Sequence, residues 1–455
     1  MAIQKQRLSA ASRAEIWATL RLAWPVVLTQ LAMMAMGFVD TLFVGPLGPA
    51  PLAGTSIANS VYFSVIVFFM GPLIALDPLV AQAVGRGAPA EGGAWFWQGA
   101  WFALAAGVAL NLLFFDAEWI FLALGQTPEV ASEATRYLGA RSFSAVPFLA
   151  FQALRGLFNG VGQVRAILGV MAVANLLNLG LDAVLIHGAF GLPALGVVGA
   201  GLATTGVRWA SLGVLAWMAA RSLPSSLSLR VGPVLPEKLR RLIAVGLPIG
   251  GQTFVEVAFF GAGGVMAGWL GAEALAAHQI ALSLASFTFM VPMGLSIAAS
   301  VRVGQAVGAG ELDRAALSGR VSLGLGAAFM GAAAALMMLA PAALARLFSP
   351  GAEVLALATE LVVIAGLFQI ADGVQGVAQG VLRGVGEVRE PFWAAFFAHW
   401  IVGLPLAYVL AFPLGLGAPG VWWGMLGALL AASTFLCTIF FRERWRDRPL
   451  LAGGG

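Results

Sequence analysis

The sequence predicts an all-α membrane protein: twelve transmembrane helices in two parallel six-helix lobes with a central cleft. Three observations point there. Of its 455 residues 60% are hydrophobic and only 10% charged, and the mean hydropathy is +0.91, well outside the composition of soluble globular domains. Apolar stretches long enough to cross a bilayer, which takes about 20 residues per helix, recur along the whole chain. A set of Pro, Gly and short motifs from the first half returns in the second.

Taken in order, the first lobe supplies spans near 16–44, 54–80, 95–115, 132–158, 165–187 and 196–220, and the second near 239–268, 273–301, 317–341, 354–382, 392–412 and 418–441. Numbering the short connections alternately separates the charges. One side collects Lys5, Arg7 and Arg13, then Arg86, Arg165, the run from Arg221 to Arg241, Arg314 and Arg320, Arg389, and finally Arg442, Arg444, Arg446 and Arg448. The other holds Asp116, Glu118 and Glu129, with Arg346 as the main basic exception. By the positive-inside rule both termini are expected in the cytoplasm. The opening MAIQKQRLSAASRAEIWATLRLAW has no short apolar core followed by a small-residue cleavage site, so the first span is expected to stay.

Several function classes lose support. The only lysines are Lys5 and Lys238, and no GxxxxGK[ST] phosphate loop exists to drive an ATP-powered pump. The lone Cys437 excludes an intramolecular disulfide or a cysteine metal cluster. His187, His278 and His399 fall in separate segments without HExxH spacing and read as helix-end or packing residues. The basic pI of 9.8 reflects residues gathered on one side of a membrane rather than a nucleic-acid partner. The chain is not expected to be an enzyme or to carry a cofactor.

The repeat has an offset of 223: Pro25, Gly45, Leu47-Gly48, Leu52-Ala53, Gly71 and Gln82-Ala83-Val84-Gly85 return as Pro248, Gly268, Leu270-Gly271, Leu275-Ala276, Gly294 and Gln305-Ala306-Val307-Gly308. Farther on, GVGQVR at 160–165 matches GVGEVR at 384–389, and LGVVG at 195–199 matches LGAPG at 416–420. Six helices per repeat put both copies the same way up, an arrangement suited to alternating access around a site near the midplane. The expected organisation is an N-terminal lobe at 1–221, a Ser- and Pro-rich cytoplasmic linker at 222–237, and a C-terminal lobe with a basic tail at 238–455.

An acid in the middle of a membrane helix costs about 2.5–3.5 kcal/mol on insertion scales, so Asp40, Asp182, Glu256 and Asp372 are functional candidates. The first-lobe counterpart of Glu256 is Met33, and that of Asp372 is Phe148, so this acid pair belongs to the second lobe alone. Two carboxylates across a helix interface can share a proton or together hold one hard cation. Asn178 and Asp182 are four residues apart, on one helix face, and offer oxygens suited to sodium; Asp40 is a candidate to complete that cluster. Arg208 is an alternative ion-pair partner for Asp182.

WPVVLTQLAMMAMGFVDTLFVG near the start, LAAHQIAL at 275–282, VGQAVGAGE at 303–311 and ADGVQGVAQGVLRGVGEVRE at 371–390 resemble, in order and along nearly the whole chain, the multidrug and toxic compound extrusion (MATE) transporters and their NorM-like branch. The resemblance implies a twelve-helix antiporter that exports organic cations against an inward sodium or proton gradient. It implies a second-lobe cation site at Glu256 and Asp372, and a first-lobe site at Asp40, Asn178, Asp182 and Thr204, for which Thr205 is the alternative threonine. NorM-like sodium sites place a tyrosine one turn before the tenth-span acid. Here that residue is Phe368, which loses a hydroxyl oxygen and tilts the expected coupling ion from sodium toward protons.

For the cargo, Gln30, Met33, Gln252, Gln279, Phe287 and Met290 are candidate cleft residues, since methionine repacks easily and ring faces attract cations. The expected partners are small cationic drugs and the lipid bilayer, with the protein a monomer. The nearest rival is a lipid-linked saccharide flippase of the same superfamily, which would need clustered basic residues. Arg141, Arg155, Arg208, Arg302 and Arg383 read as too few and too scattered for one anion site. An intramembrane hydrolase finds no nucleophile–base motif.

Overall fold

A computed structural model describes residues 2–188, 191–447 and 450–451, with side chains from Ala10 onward. The side chains of Lys5 and Arg7, and Arg448 altogether, lie outside the described residues. Helices follow one another without a strand among the described residues: α1 (Ala2–Val44), α2 (Pro49–Ile74), α3 (Leu76–Gly85), α4 (Pro89–Phe114), α5 (Glu118–Ala123), α6 (Pro128–Ser142), α7 (Ala145–Val161), α8 (Val164–His187) and α9 (Val197–Ser222). The second repeat runs through α10 (Pro236–Trp269), α11 (Ala272–Gly308), α12 (Leu312–Leu339), α13 (Pro341–Arg346), α14 (Ala352–Gly384), α15 (Arg389–Phe396), a π-helical segment (Phe397–Gly403), α16 (Leu404–Ala411) and α17 (Gly417–Phe441).

Ten helical stretches among the described residues are long and apolar enough to cross a membrane. The other two expected spans are present as helices but differ in kind. The stretch expected at 132–158 is α6 and α7, broken at Phe143–Ser144; Pro147 sits in the first turn of α7, where its missing N–H costs nothing, and it could not sit inside one continuous helix without losing a bond. The stretch at 196–220 is α9, of 26 residues, whose middle carries Thr204, Thr205, Arg208 and Ser211.

The backbone carries the duplication as clearly as the sequence does. Four pairs of glycines with positive φ recur at the repeat offsets: Gly48 and Gly271 (115° and 117°), Gly87 and Gly310 (76° and 76°), Gly162 and Gly386 (86° and 88°), and Gly196 and Gly417 (57° and 61°). Each closes a connection in a conformation that a Cβ disfavours. The same turns therefore enter the same helices in both halves.

By contacts the chain forms two compact units, 28–250, and 1–27 with 251–455. The division falls inside α1 and α10, just after Pro25 and Pro248, the prolines that weaken those long helices. In the first unit α4 packs on α7, α2 on α6 and α8 on α9. The linker lies along α4, where Gln98 donates to the Pro233 carbonyl (3.1 Å) and accepts from the Leu235 amide (2.9 Å), while Trp101 donates to the Gly232 carbonyl (3.0 Å). In the other unit α14 is central, flanked by α11, α12 and α17. There Phe368 stacks flat on Trp422, with centroids 5.3 Å apart, inside a fully buried cluster. The first half of α1 is fixed to α11 and α12 in that unit: Glu15 takes a forked ion pair from Arg302 (3.0 and 2.6 Å) and a hydrogen bond from the Ser318 hydroxyl.

Candidate functional site

Two acid sites emerge, one in each repeat. In the second, α10 presents Glu256 to one face of α14. Gln375 and Gln379 both donate to the same oxygen of Glu256, at 3.1 and 2.6 Å. Asp372 lies on that face, three and seven residues before the two glutamines, and its charge and that of Arg383 both act on Glu256. Asp372 is 7% exposed. Arg383, one turn beyond Gln379, donates to the Ser296 hydroxyl (2.9 Å) and to the Gln379 carbonyl (3.2 Å). The arrangement is a half-buried carboxylate accepting two amide N–H groups, with a second carboxylate beside it and a guanidinium at the edge.

Phe368, one turn before Asp372, is not open at this site. Its ring lies on Trp422, whose indole N–H donates to His278 Nδ1 (3.1 Å). The glutamines were missed as site residues, although the sequence carried the signal: with Asp372 they fall at i, i+3 and i+7, one stripe of a helix.

In the first repeat, Asp40 on α1 meets Thr204 on α9 and Asp182 on α8, with Asn178 one turn before Asp182 on α8. All four are buried, Asn178 and Asp182 completely. Thr204 Oγ1 lies 3.4 Å from Asp40 Oδ2 and 3.0 Å from the carbonyl of Ala200, to which it also donates. Thr205 instead donates to the Ala140 carbonyl on α6 (3.0 Å), so of the two threonines Thr204 is the one that faces the acids. Asp40 and Asp182 interact with each other. One oxygen of Asp40, both oxygens of Asp182 and both amide atoms of Asn178 are buried without a partner among the described residues. Orphaned polar atoms at such density are costly, and one cation bound by oxygens would satisfy most of them. The donor set of two carboxylates, a carboxamide oxygen and a hydroxyl fits sodium, and a proton shared between the carboxylates would also relieve the site.

Arg208 does not pair with Asp182. It donates to the hydroxyls of Tyr62 (3.1 Å) and Ser144 (2.9 Å) and lies over the rings of Phe148 and Tyr62. Arg141 lies over the same Tyr62 ring, 4.8 Å from its centroid. These two arginines are therefore clustered rather than scattered, a correction to the reading from sequence, where residues 62, 141 and 208 lie far apart.

The candidate cleft residues divide. Arg155 donates to Gln30 (3.3 Å) and to the sulfur of Met33 (3.7 Å). Gln252, one turn before Glu256, is buried, and its side chain acts on the Glu256 carboxyl. Met290 is partly buried, while Gln279 and Phe287 are exposed along α11. Asp77, which sequence reading passed over, is buried and accepts from Asn159 (3.1 Å).

The family model described as MatE matches the chain twice, at residues 25–184 and 248–409, once in each repeat. The chain is 41% identical to a probable multidrug resistance protein NorM of Rhodopseudomonas palustris, over 95% of this chain and 93% of that one. It is 35% identical to the multidrug resistance protein MdtK of Edwardsiella ictaluri, over 94% and 95%. Its fold matches a crystal structure of the eukaryotic MATE transporter AtDTX14 with a TM-score of 0.86 at 22% identity, over 96% of this chain and 98% of that one. Matched in both halves, and similar to NorM proteins along nearly its whole length, this integral membrane protein belongs to the MATE family, in its NorM-like branch.

Proposed function

We propose that the chain is a secondary multidrug efflux antiporter of the bacterial plasma membrane, exporting lipophilic organic cations in exchange for protons or sodium by alternating access, with both termini cytoplasmic. The observation that carries this reading is Glu256. A carboxyl whose one oxygen accepts from two amides at 2.6 and 3.1 Å, beside the carboxyl of Asp372, can carry a negative charge when empty and still keep both bonds when a proton sits on its other oxygen. Inside a membrane such a charge is retained for a cation to meet. The relatives' names, as multidrug resistance proteins, support the same reading of the cargo.

Exchange follows from competition. A proton or sodium ion on Glu256 and Asp372 removes the charge that would hold a cationic drug, so each ligand weakens the other by the same factor. Phe368, stacked on Trp422, has no hydroxyl to offer sodium, which favours protons at this site; the first-repeat cluster remains able to take either ion. Uptake of a labelled cationic drug into inverted vesicles, driven in turn by a proton and by a sodium gradient, tests coupling. Glu256→Gln is expected to weaken drug binding by about 5–150-fold, the usual span of such couplings, and to uncouple export. A folded Glu256→Gln protein that still concentrates drug with wild-type ion dependence would make the carboxylate a bystander.

A further inference from the structure

We infer that Arg141 sets the charge the first-repeat site accepts, restricting it to a single positive charge, sodium or a proton, and excluding divalent cations. The inference rests on the reading of Asp40, Asn178, Asp182 and Thr204 as a cation site, and it concerns a residue outside the donor set.

Arg141 reaches that site by packing. On α9, Gly201 lies against the backbone of Tyr137 and Arg141, so close that a Cβ there would meet the Tyr137 carbonyl at 2.8 Å and the Arg141 amide nitrogen at 3.2 Å. One turn on, Thr205 holds the carbonyl of Ala140 while its neighbour Thr204 faces Asp40. The end of α6 and the acid on α1 therefore approach the same turn of α9. Consistent with that placement, both Arg141 and Tyr137 feel the charge of Asp40.

The guanidinium does not collapse onto the acids. Its Nη1 donates to the Asn59 side-chain oxygen and to the Tyr137 hydroxyl, and its plane is held over the rings of Tyr62 (4.8 Å) and Tyr137 (5.5 Å). All these partners are neutral, and Arg141 makes no ion pair with a carboxylate among the described residues. Its buried Nε is also unpartnered. Arginine stays protonated at any physiological pH, so this is a fixed positive charge, anchored beside the site but outside its oxygens. Arg208, on the same Tyr62 ring, interacts with Tyr62, Arg141 and Tyr137, while the interaction with Asp40 is that of Arg141.

Charge counting then decides. Asp40 and Asp182 ionised carry two negative charges, and Arg141 cancels one. A monovalent ion or one proton brings the buried group to neutrality, whereas a divalent ion leaves one positive charge uncompensated in a medium of low dielectric. Without Arg141, two carboxylates with carboxamide and hydroxyl oxygens form a donor set that hard divalent cations also favour. A purely structural role, tying α2 to α6 through Asn59, would alter stability and leave valence untouched.

The test is equilibrium binding of radiolabelled sodium and calcium to the full chain in nanodiscs, at fixed pH and ionic strength, with acidification as the proton arm. The wild type is expected to bind sodium or take up a proton and to ignore calcium. Arg141→Gln should bind calcium at least about tenfold more tightly than wild type, Arg141→Lys should not, and adding Asp182→Asn to Arg141→Gln should abolish the gain. Arg141→Met, which keeps the stem that packs on Tyr62, carries the same expectation should Gln fail to fold. A folded Arg141→Gln or Arg141→Met protein with wild-type indifference to calcium overturns the inference while the cation site stands. If wild-type sodium binding and proton uptake are both unaffected by Asp182→Asn and Asp40→Asn, the site reading falls and the inference with it.

Discussion

Replacing Glu15 with alanine should release the first half of α1. Glu15 is 6% exposed and holds Arg302 through two hydrogen bonds of 3.0 and 2.6 Å, with Ser318 donating to the same carboxyl. Removing one member of a buried pair costs about 3–5 kcal/mol, because the remaining charge is left uncompensated. The Arg302 side chain is 16% exposed and can recover some water, so the low end, about 3 kcal/mol, applies. The loss is local, since α1 up to Val27 belongs to the contact unit that contains α11 and α12. At about 1.4 kcal/mol per factor of ten, amides in this half of α1 should exchange on the order of 100-fold faster, with α14 unaffected. Hydrogen exchange read by mass spectrometry on the full chain in nanodiscs measures it peptide by peptide. Adding Arg302→Met removes the stranded charge and should restore most of the protection. A change under about threefold in Glu15→Ala, or a double variant as unprotected as the single one, would refute the assignment of a buried clamp.

Asp40→Asn should cut export by about 5–150-fold while leaving insertion and folding intact; unchanged export in correctly inserted protein would return Asp40 to a packing role. Gly71 lies against the backbone of Gly246 and Gly250 on α10, so that a Cβ would clash with main-chain atoms. Gly71→Ala should therefore cost about 1–3 kcal/mol, read as a lower melting temperature in detergent, and an unshifted melting temperature would show that these helices separate freely. Trp422→Phe leaves His278 Nδ1 without its donor while keeping a ring against Phe368, and should cost about 1–3 kcal/mol; stability equal to wild type would mean that water replaces the indole.

Much of this architecture was legible in the sequence because membrane proteins obey two strong local rules, apolar length and internal repetition. The glycines that close turns in both halves are the repeat made visible in the backbone. The acids were legible because a carboxylate inside an apolar run has few reasons to be there. What escaped, beyond the clusters the resemblance implied, were contacts between helices distant in the chain. Residues 59 and 62 lie a turn apart on α2, as do 137 and 141 on α6, but nothing in the sequence joins those turns to each other or to residue 208, and only the packing of α2, α6 and α9 makes Arg141 and Arg208 a cluster. Phe368 was legible as a missing hydroxyl, but nothing in its neighbours along the chain says that Trp422 covers its ring. Thr204 and Thr205 differ by one position, and the side on which α6 packs chooses between them.

The duplication supplies a common frame, yet the acids occupy different places in it. At the repeat offsets Asp40 corresponds to Gly263 and Thr204 to Met425. In the structure a Cβ on Gly263 would meet the sulfur of Met425 at 3.3 Å and His278 Cε1 at 3.7 Å. The spot that holds two carboxylates in the first repeat is closed by a thioether and a neutral-bonded imidazole in the second. Conversely Glu256 and Gln379 correspond to Met33 and Arg155, which also touch, so an acid–amide contact in one repeat is a thioether–guanidinium contact in the other. Helix packing tolerates the exchange because the partners remain side by side; electrostatics does not, because a cation attracted in one repeat is repelled at the equivalent point of the other. Any motion that relates the repeats symmetrically must therefore work on two chemically unequal sites.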